Sequence, residues 1–223
     1  MRINKEFLKN LKPCTDRYKN FLEHNCSFDG GFSDFLDLDT ISYGDKMWVA
    51  ERIIKRNQAV KWAILCAESV LPIFENRYPV ENRLSDCINF LKTVKDFNSL
   101  TDVEMLEIKN YVDASRSIYG VASDTSDAAR AVTYATHCAT HAATHAAHVV
   151  YVTACAADIY STAGAAALAI RAADSVTYAR AFCSTKHSAT TNISYITSYI
   201  NYHIARQKQL DFNIQLLKQV TSL

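Results

Sequence analysis

A chain of 223 residues, 49% apolar and 21% charged, has ordinary globular composition and can bury a core without disulfides or metals. Its formal net charge of +1 exerts no overall pull on nucleic acid or on an anionic membrane. The seven cysteines are odd in number, scattered and without a CxxC pair, and the opening MRINKEFLKN has no apolar signal core; these features predict free thiols and a reducing, cytoplasmic setting.

Only five glycines and three prolines punctuate the chain, strand-like alternation is nowhere sustained, and the helical period recurs, so an all-α multi-helix bundle is expected. Residues 1–56 are read as a small N-terminal helical module and 57–223 as the main helical domain. Tyr18, Phe21 and Leu22 share a helical face, and NCSFDGG (25–31) is expected to be a loop. Ser33 is placed as the cap of a short helix with Phe35 and Leu36. Ser42 with Asp45 forms a capping box ahead of Trp48, Val49, Ile53 and Ile54, and Asn57 is expected to cap the next helix.

Residues 58–78 are amphipathic through Val60, Ala63, Ile64, Ala67, Val70 and Leu71, with a kink expected at Pro72. Residues 83–97 carry Leu84, Ile88, Leu91 and Val94 inward. Thr101 and Glu104 make a second capping box, starting a helix expected to end at Gly120.

From Ser123 to about Thr190, alanine fills roughly a third of the positions. Alanine leaves little between neighbouring backbones, so a closely packed, alanine-rich C-terminal half is expected, with Tyr134, Tyr151, Tyr160, Leu168, Ile170, Tyr178 and Phe182 filling the gaps. A single helix over this stretch would be roughly 100 Å long at about 1.5 Å per residue, so it must break at least twice; Gly164 and the neighbourhood of Asp174 mark candidate places. His145, His148, Asp158 and Arg171 interrupt the most apolar stretch, which argues against a membrane span. Ile193, Ile196, Ile200, His203, Gln207, Leu210, Ile214 and Leu217 form a heptad-type seam, either a terminal helix closing the protein's own core or a homodimer contact through 193–217.

The stretch Trp62–Lys92 resembles the helical immunity-protein family with the immunity-five-like domain. The shared features are Trp62-Ala63, Cys66-Ala67-Glu68, Leu71-Pro72-Ile73-Phe74-Glu75 and Tyr78-Pro79, followed by Arg83. The similarity extends over about 57–185 through alanine-rich helices with periodic Tyr and His. The sequence departs from the family at Leu84-Ser85, where Pro-Arg is the common form, and has more Thr, His and Tyr. CTDRYKNFLEHN and DTISYGDKMWVAERII resemble a small helical module of bacteriophage proteins. The resemblance implies an all-α fold and a non-catalytic inhibitor that binds a toxin, or a host or defence protein; it carries over no catalytic residues.

Among local features, THCATHAATHAAHVVY is the most concentrated. His137, His141, His145 and His148 fall on one stripe about 80° wide, with Tyr134 and Tyr151 at its ends. Two imidazoles one turn apart can ligate zinc or another transition metal, given further ligands such as Asp158, Asp174, Cys183 or His187. The same stripe also suits bulky filling between alanine faces, or an interaction surface made of Tyr134, the four histidines and Tyr151. HExxH, GxSxG, GxxxxGK[ST] and GxGxxG are absent, and no cysteine sits in a catalytic context. Beyond Glu107 nine Lys/Arg face six Asp, but Arg171, Arg180, Lys186, Arg206 and Lys208 are separated by apolar turns, so nucleic-acid binding is a minor alternative.

Overall fold

The computed structural model describes residues 1–129, 147–159, 161–184 and 192–222; for 124–129, 181–184 and 192–203 it describes the backbone alone. The chain is all-α apart from one small antiparallel sheet. In order, the elements are β1 (Arg2–Asn4), α1 (Lys5–Asn10), α2 (Thr15–Asn25), β2 (Asp29–Gly31), α3 (Phe32–Leu36), α4 (Tyr43–Ile53), α5 (Arg56–Glu75), α6 (Arg83–Thr93), α7 (Asp102–Ala129), α8 (147–158), α9 (Thr162–Ser184) and α10 (Asn192–Thr221).

The sheet corrects the expectation of a loop at 25–31. β1 pairs with β2 with Ile3 opposite Gly30, and Ile3 is fully buried. Three residues are too few to show alternation, so no pattern in the sequence announces the strands. Gly30 leaves space for the Phe28 ring, since a Cβ there would lie 2.7 Å from it and force the ring to shift. Helix α3 is capped by Gly31, whose N–H donates to Asp34 at 2.7 Å, with Ser33 inside the helix rather than at its cap.

The capping box at Thr101 and Glu104 forms in full, whereas Ser42 caps α4 without the return bond from Asp45 to its backbone N–H. The Asp45 N–H donates to Ser42 Oγ at 3.1 Å, and the Ser42 hydroxyl donates back to the Asp45 carboxylate at 2.7 Å. The Thr101 N–H donates to Glu104 at 2.8 Å, and the Glu104 N–H to Thr101 Oγ1 at 3.2 Å. Several expected boundaries move; α6, read over 83–97, ends at Thr93 with Val94 as its C-cap. Asn57 lies inside α5, where its amide donates to Asp96 and its carbonyl oxygen accepts from the Phe97 N–H, both at 2.7 Å. Helix α7 runs through Gly120, because nothing there requires a left-handed residue and the preceding face continues to bury Ile118 and Ala122.

The core centres on the packing of α5 against α9, with α8 and α10 adding to it. On α5, Ala59, Val60, Trp62, Ala63, Cys66, Ala67 and Val70 are all fully buried and share one face about 160° wide. The residues that carry the family resemblance at Trp62-Ala63 and Cys66-Ala67 are therefore packing residues. Helix α8 buries Ala147, Val149, Val150, Val152, Thr153, Ala154, Ala156 and Ala157. On α9 the fully buried positions are Ala165, Ala166, Ala169, Ala172, Ala173, Val176 and Ala179.

Close approach of these small-residue faces is recorded by side chains that bond a neighbour's backbone directly. The Thr153 hydroxyl lies 3.2 Å from the Ala63 carbonyl, Arg180 donates to the Ser69 carbonyl at 2.7 Å, and Asn213 donates to the Ala173 carbonyl at 2.7 Å. Among the described residues, α8 ends at 158 and α9 starts at Thr162, just ahead of Gly164, whose Cβ position lies 2.6 Å from Ile159 Cδ1. Asp174 is not a break; it sits mid-helix in α9.

Residues 1–56 share one continuous apolar core with the rest of the chain. Lys218 of α10 forms an ion pair with Asp37 at the end of α3. Ile214 and Leu217 of the C-terminal seam are buried in this core, and Gln209 and Asn213 join them as an internal polar pair bonded at 3.0 Å. The side chains of Ile193, Ile196, Ile200 and His203, the first half of that seam, lie outside the described ones. No described helix is long and apolar enough to cross a membrane.

Candidate functional site

Of the sequence-predicted stripe, Tyr134, His137, His141 and His145 lie outside the described residues, as do Tyr160 and His187 and the side chains of Phe182 and Cys183. His148 and Tyr151 are placed on α8, facing α7 and α9. His148 Nδ1 is 2.8 Å from Ser175 Oγ, its ring is 4.9 Å from that of Tyr119, and Tyr119 stacks nearly parallel on Tyr151 at 6.2 Å. Arg116 reaches the same cluster, 5.6 Å from the centre of the Tyr151 ring. Burial, then the charge of Arg171, holds the His148 pKa below its ordinary value.

The unfolded chain takes up this proton near pH 6.5, about the free imidazole value, while the folded chain resists it. Stability therefore falls as pH drops below that value. Thermal melts between pH 7.5 and 5 are expected to show a declining Tm that is flattened in His148→Gln; an unchanged slope in the variant would count against this assignment.

Among the described residues no group of three or more His, Cys, Asp or Glu is arranged to hold a metal. The five described cysteines are free. Burial pushes the Cys66 thiol up and the Cys87 thiol to about 12, so neither offers a thiolate at neutral pH. Arg180 is committed to the Ser69 carbonyl and lies 5.0 Å from the Phe212 ring, whereas Arg206 belongs to a different feature.

That feature is a cleft of about 650 Å³ between α2, α4, α9 and α10, within the size range of ligand sites. Three helical stripes build it. Tyr43, Met47, Trp48 and Glu51 come from α4. Ile170, Asp174, Thr177 and Tyr178 come from α9 at steps of four, three and one. Arg206 and Leu210 lie one turn apart on α10, and Arg17 closes the α2 side. The α4 wall is held by the cap of its own helix, since Arg17 bridges to Asp45 at 2.9 Å. Arg52 lies 3.9 Å over the Trp48 ring and 3.4 Å from Glu51, which fixes those two side chains together.

Two polar groups of the cleft are left uncommitted. The Tyr43 hydroxyl is buried and has no hydrogen bond of normal geometry, although Asn213 lies beside it. Burial and the nearby Asp174 push its pKa upward, so it stays a neutral donor. Asp174 has no ion pair within 4 Å among the described residues, and burial raises its pKa, with Arg206 opposing. The carboxylate touches solvent, but it does so inside a concavity with low-dielectric walls.

A raised carboxylate pKa means that the folded state favours the protonated form. This contribution is most favourable below about pH 4 and is lost as pH rises through the folded-state value. Asp174→Asn is therefore expected to raise Tm at pH 7, with the difference shrinking toward about pH 3.5. A variant that is less stable at neutral pH would contradict this.

Sequence reasoning reached Asp174 only as a possible metal ligand or helix break, and Arg206 only as part of a basic set. The available signal was a lone carboxylate in an alanine-rich helix; what it faces depended on the packing of three distant segments. No family model, no curated protein and no solved structure matches this chain.

Proposed function

We propose that this protein is a non-catalytic binding protein that docks on a protein partner and blocks it, in the manner of an immunity protein or a phage counter-defence inhibitor. The observation that carries this reading is the cleft. Its groups are of recognition type: aromatic edges from Trp48 and Tyr178, charges of both signs, and an unsatisfied buried hydroxyl at Tyr43. Trp, Tyr and Arg are the residue types that dominate binding energy at protein interfaces. The walls stand on helices already fixed by the core, so little ordering is needed on binding. The motif resemblance at Trp62–Lys92 supports the inhibitor role and the toxin, host or defence protein as partner.

Affinity capture from a lysate of the producing cell, read by mass spectrometry, tests the proposal. A stoichiometric protein partner is the expected result, and repeated capture of none would overturn it.

A further inference from the structure

The cleft's charges separate into committed and uncommitted ones. Arg17 is neutralised by Asp45 at 2.9 Å and Glu51 by Arg52 at 3.4 Å. Asp174 and Arg206 remain. They are close enough to influence each other, yet form no ion pair within 4 Å among the described residues. Arg206 lies 6.0 Å from the centre of the Tyr178 ring. The lining they share is otherwise largely apolar, with Ile170 and Leu210 on the same two helices and Trp48 on α4.

One uncommitted anion, one uncommitted cation and an apolar surface form the complement of a group that carries both charges on a short stem. We propose that the cleft is a subsite for a zwitterionic group, with its cation seated at Asp174 and its carboxylate at Arg206. A ligand with only a cation leaves Arg206 unanswered and is repelled by it. One with only an anion stands in the same relation to Asp174. Each single-charge ligand is thus opposed by one of the two free charges, whereas the zwitterion is opposed by neither. The buried Tyr43 hydroxyl near Asp174 supplies a further neutral donor. This rests on the docking reading and sharpens it: the zwitterion is what the partner presents, as neighbouring basic and acidic side chains.

The test uses the purified full chain and small probes. γ-Aminobutyrate, δ-aminovalerate and ε-aminocaproate carry the two charges at increasing separation, while butylamine and butyrate carry one each. Titrations followed by amide chemical shifts are expected to give one ω-amino acid an affinity about tenfold or more above both single-charge analogues, the size of one charge-assisted contact. Asp174→Asn and Arg206→Gln should each remove that advantage, with folding confirmed by thermal melts. Equal binding of zwitterion and single-charge probes, or a zwitterion preference that survives both substitutions, would overturn the proposal. The docking reading fails differently, through the absence of a captured partner, and that result leaves the probe titration as it stands.

Discussion

Arg56→Ala is expected to lower unfolding free energy by about 3 kcal/mol, more than the loss of an ordinary surface residue. Arg56 opens α5, where a cation is unfavourable to the helix dipole, yet its side chain is almost fully buried. The reason is on the other side of the core. Its Nε donates to the Ile159 carbonyl and its terminal nitrogen to the Ala157 carbonyl, both at 2.8 Å. These carbonyls stand at the end of α8, where backbone acceptors lack partners within their own helix. The guanidinium fork thus caps the C-terminus of one helix from the N-terminus of another, across about a hundred residues of sequence. Urea denaturation measures the cost. Arg56→Lys should recover only part of it, since an ammonium cannot present two parallel donors. A loss below about 0.5 kcal/mol for the alanine variant would contradict this account.

Ala63→Leu is expected to cost about 2–3 kcal/mol, although leucine is an excellent helix former and the substitution adds apolar surface. Ala63 is fully buried on α5, and its carbonyl lies 3.2 Å from the Thr153 hydroxyl of α8. A side chain that bonds a neighbouring helix's backbone leaves no room for three more carbon atoms. The same reasoning applies to Ala169, fully buried on α9. Lys61 lies on the exposed face of α5, and a leucine is tolerated there. Calorimetric melts of Ala63→Leu and Lys61→Leu separate the two effects; similar Tm values for both would show that the alanines are not spacing the helices.

Much of the fold was legible because local signals agree with it. The cap at Ser42 and the box at Thr101 form as their spacing predicts, and the inward residues Leu84, Ile88 and Leu91 of α6 are buried. The failures share a cause. Asn57 looks like a cap, but it is drawn to Asp96, 39 residues away. Gly120 looks like a stop, but no tertiary feature demands one. Three-residue strands at Arg2 and Asp29 are held by each other and by the burial of Ile3, with no periodicity to reveal them. Asp96 shows how far a non-local network can reshape one residue: bonds from Asn57, the Asn98 N–H and Ser99 hold its carboxyl down at about 2.

The cleft was less legible than the fold. Its walls come from α2, α4, α9 and α10, so no local window contains two sides of it. In sequence, Asp174 and Arg206 are separate charges in different helices; their shared surroundings exist only after α9 has packed against α4 and α10. By contrast, the His stripe was conspicuous because its four members are local in sequence. Its described end, His148, engages Ser175 and two tyrosines.

The central claim is that the partner docks at the cleft. The most direct measurement is capture with three baits: the wild-type chain, the double variant Tyr178→Ala/Arg206→Ala on the exposed part of the cleft lining, and Leu106→Ala, an exposed position on α7. The account predicts that the wild-type and Leu106→Ala baits retain the same stoichiometric partner and that the cleft variant loses it while keeping its Tm. Retention of the partner by all three baits, or its loss only with Leu106→Ala, would contradict the account.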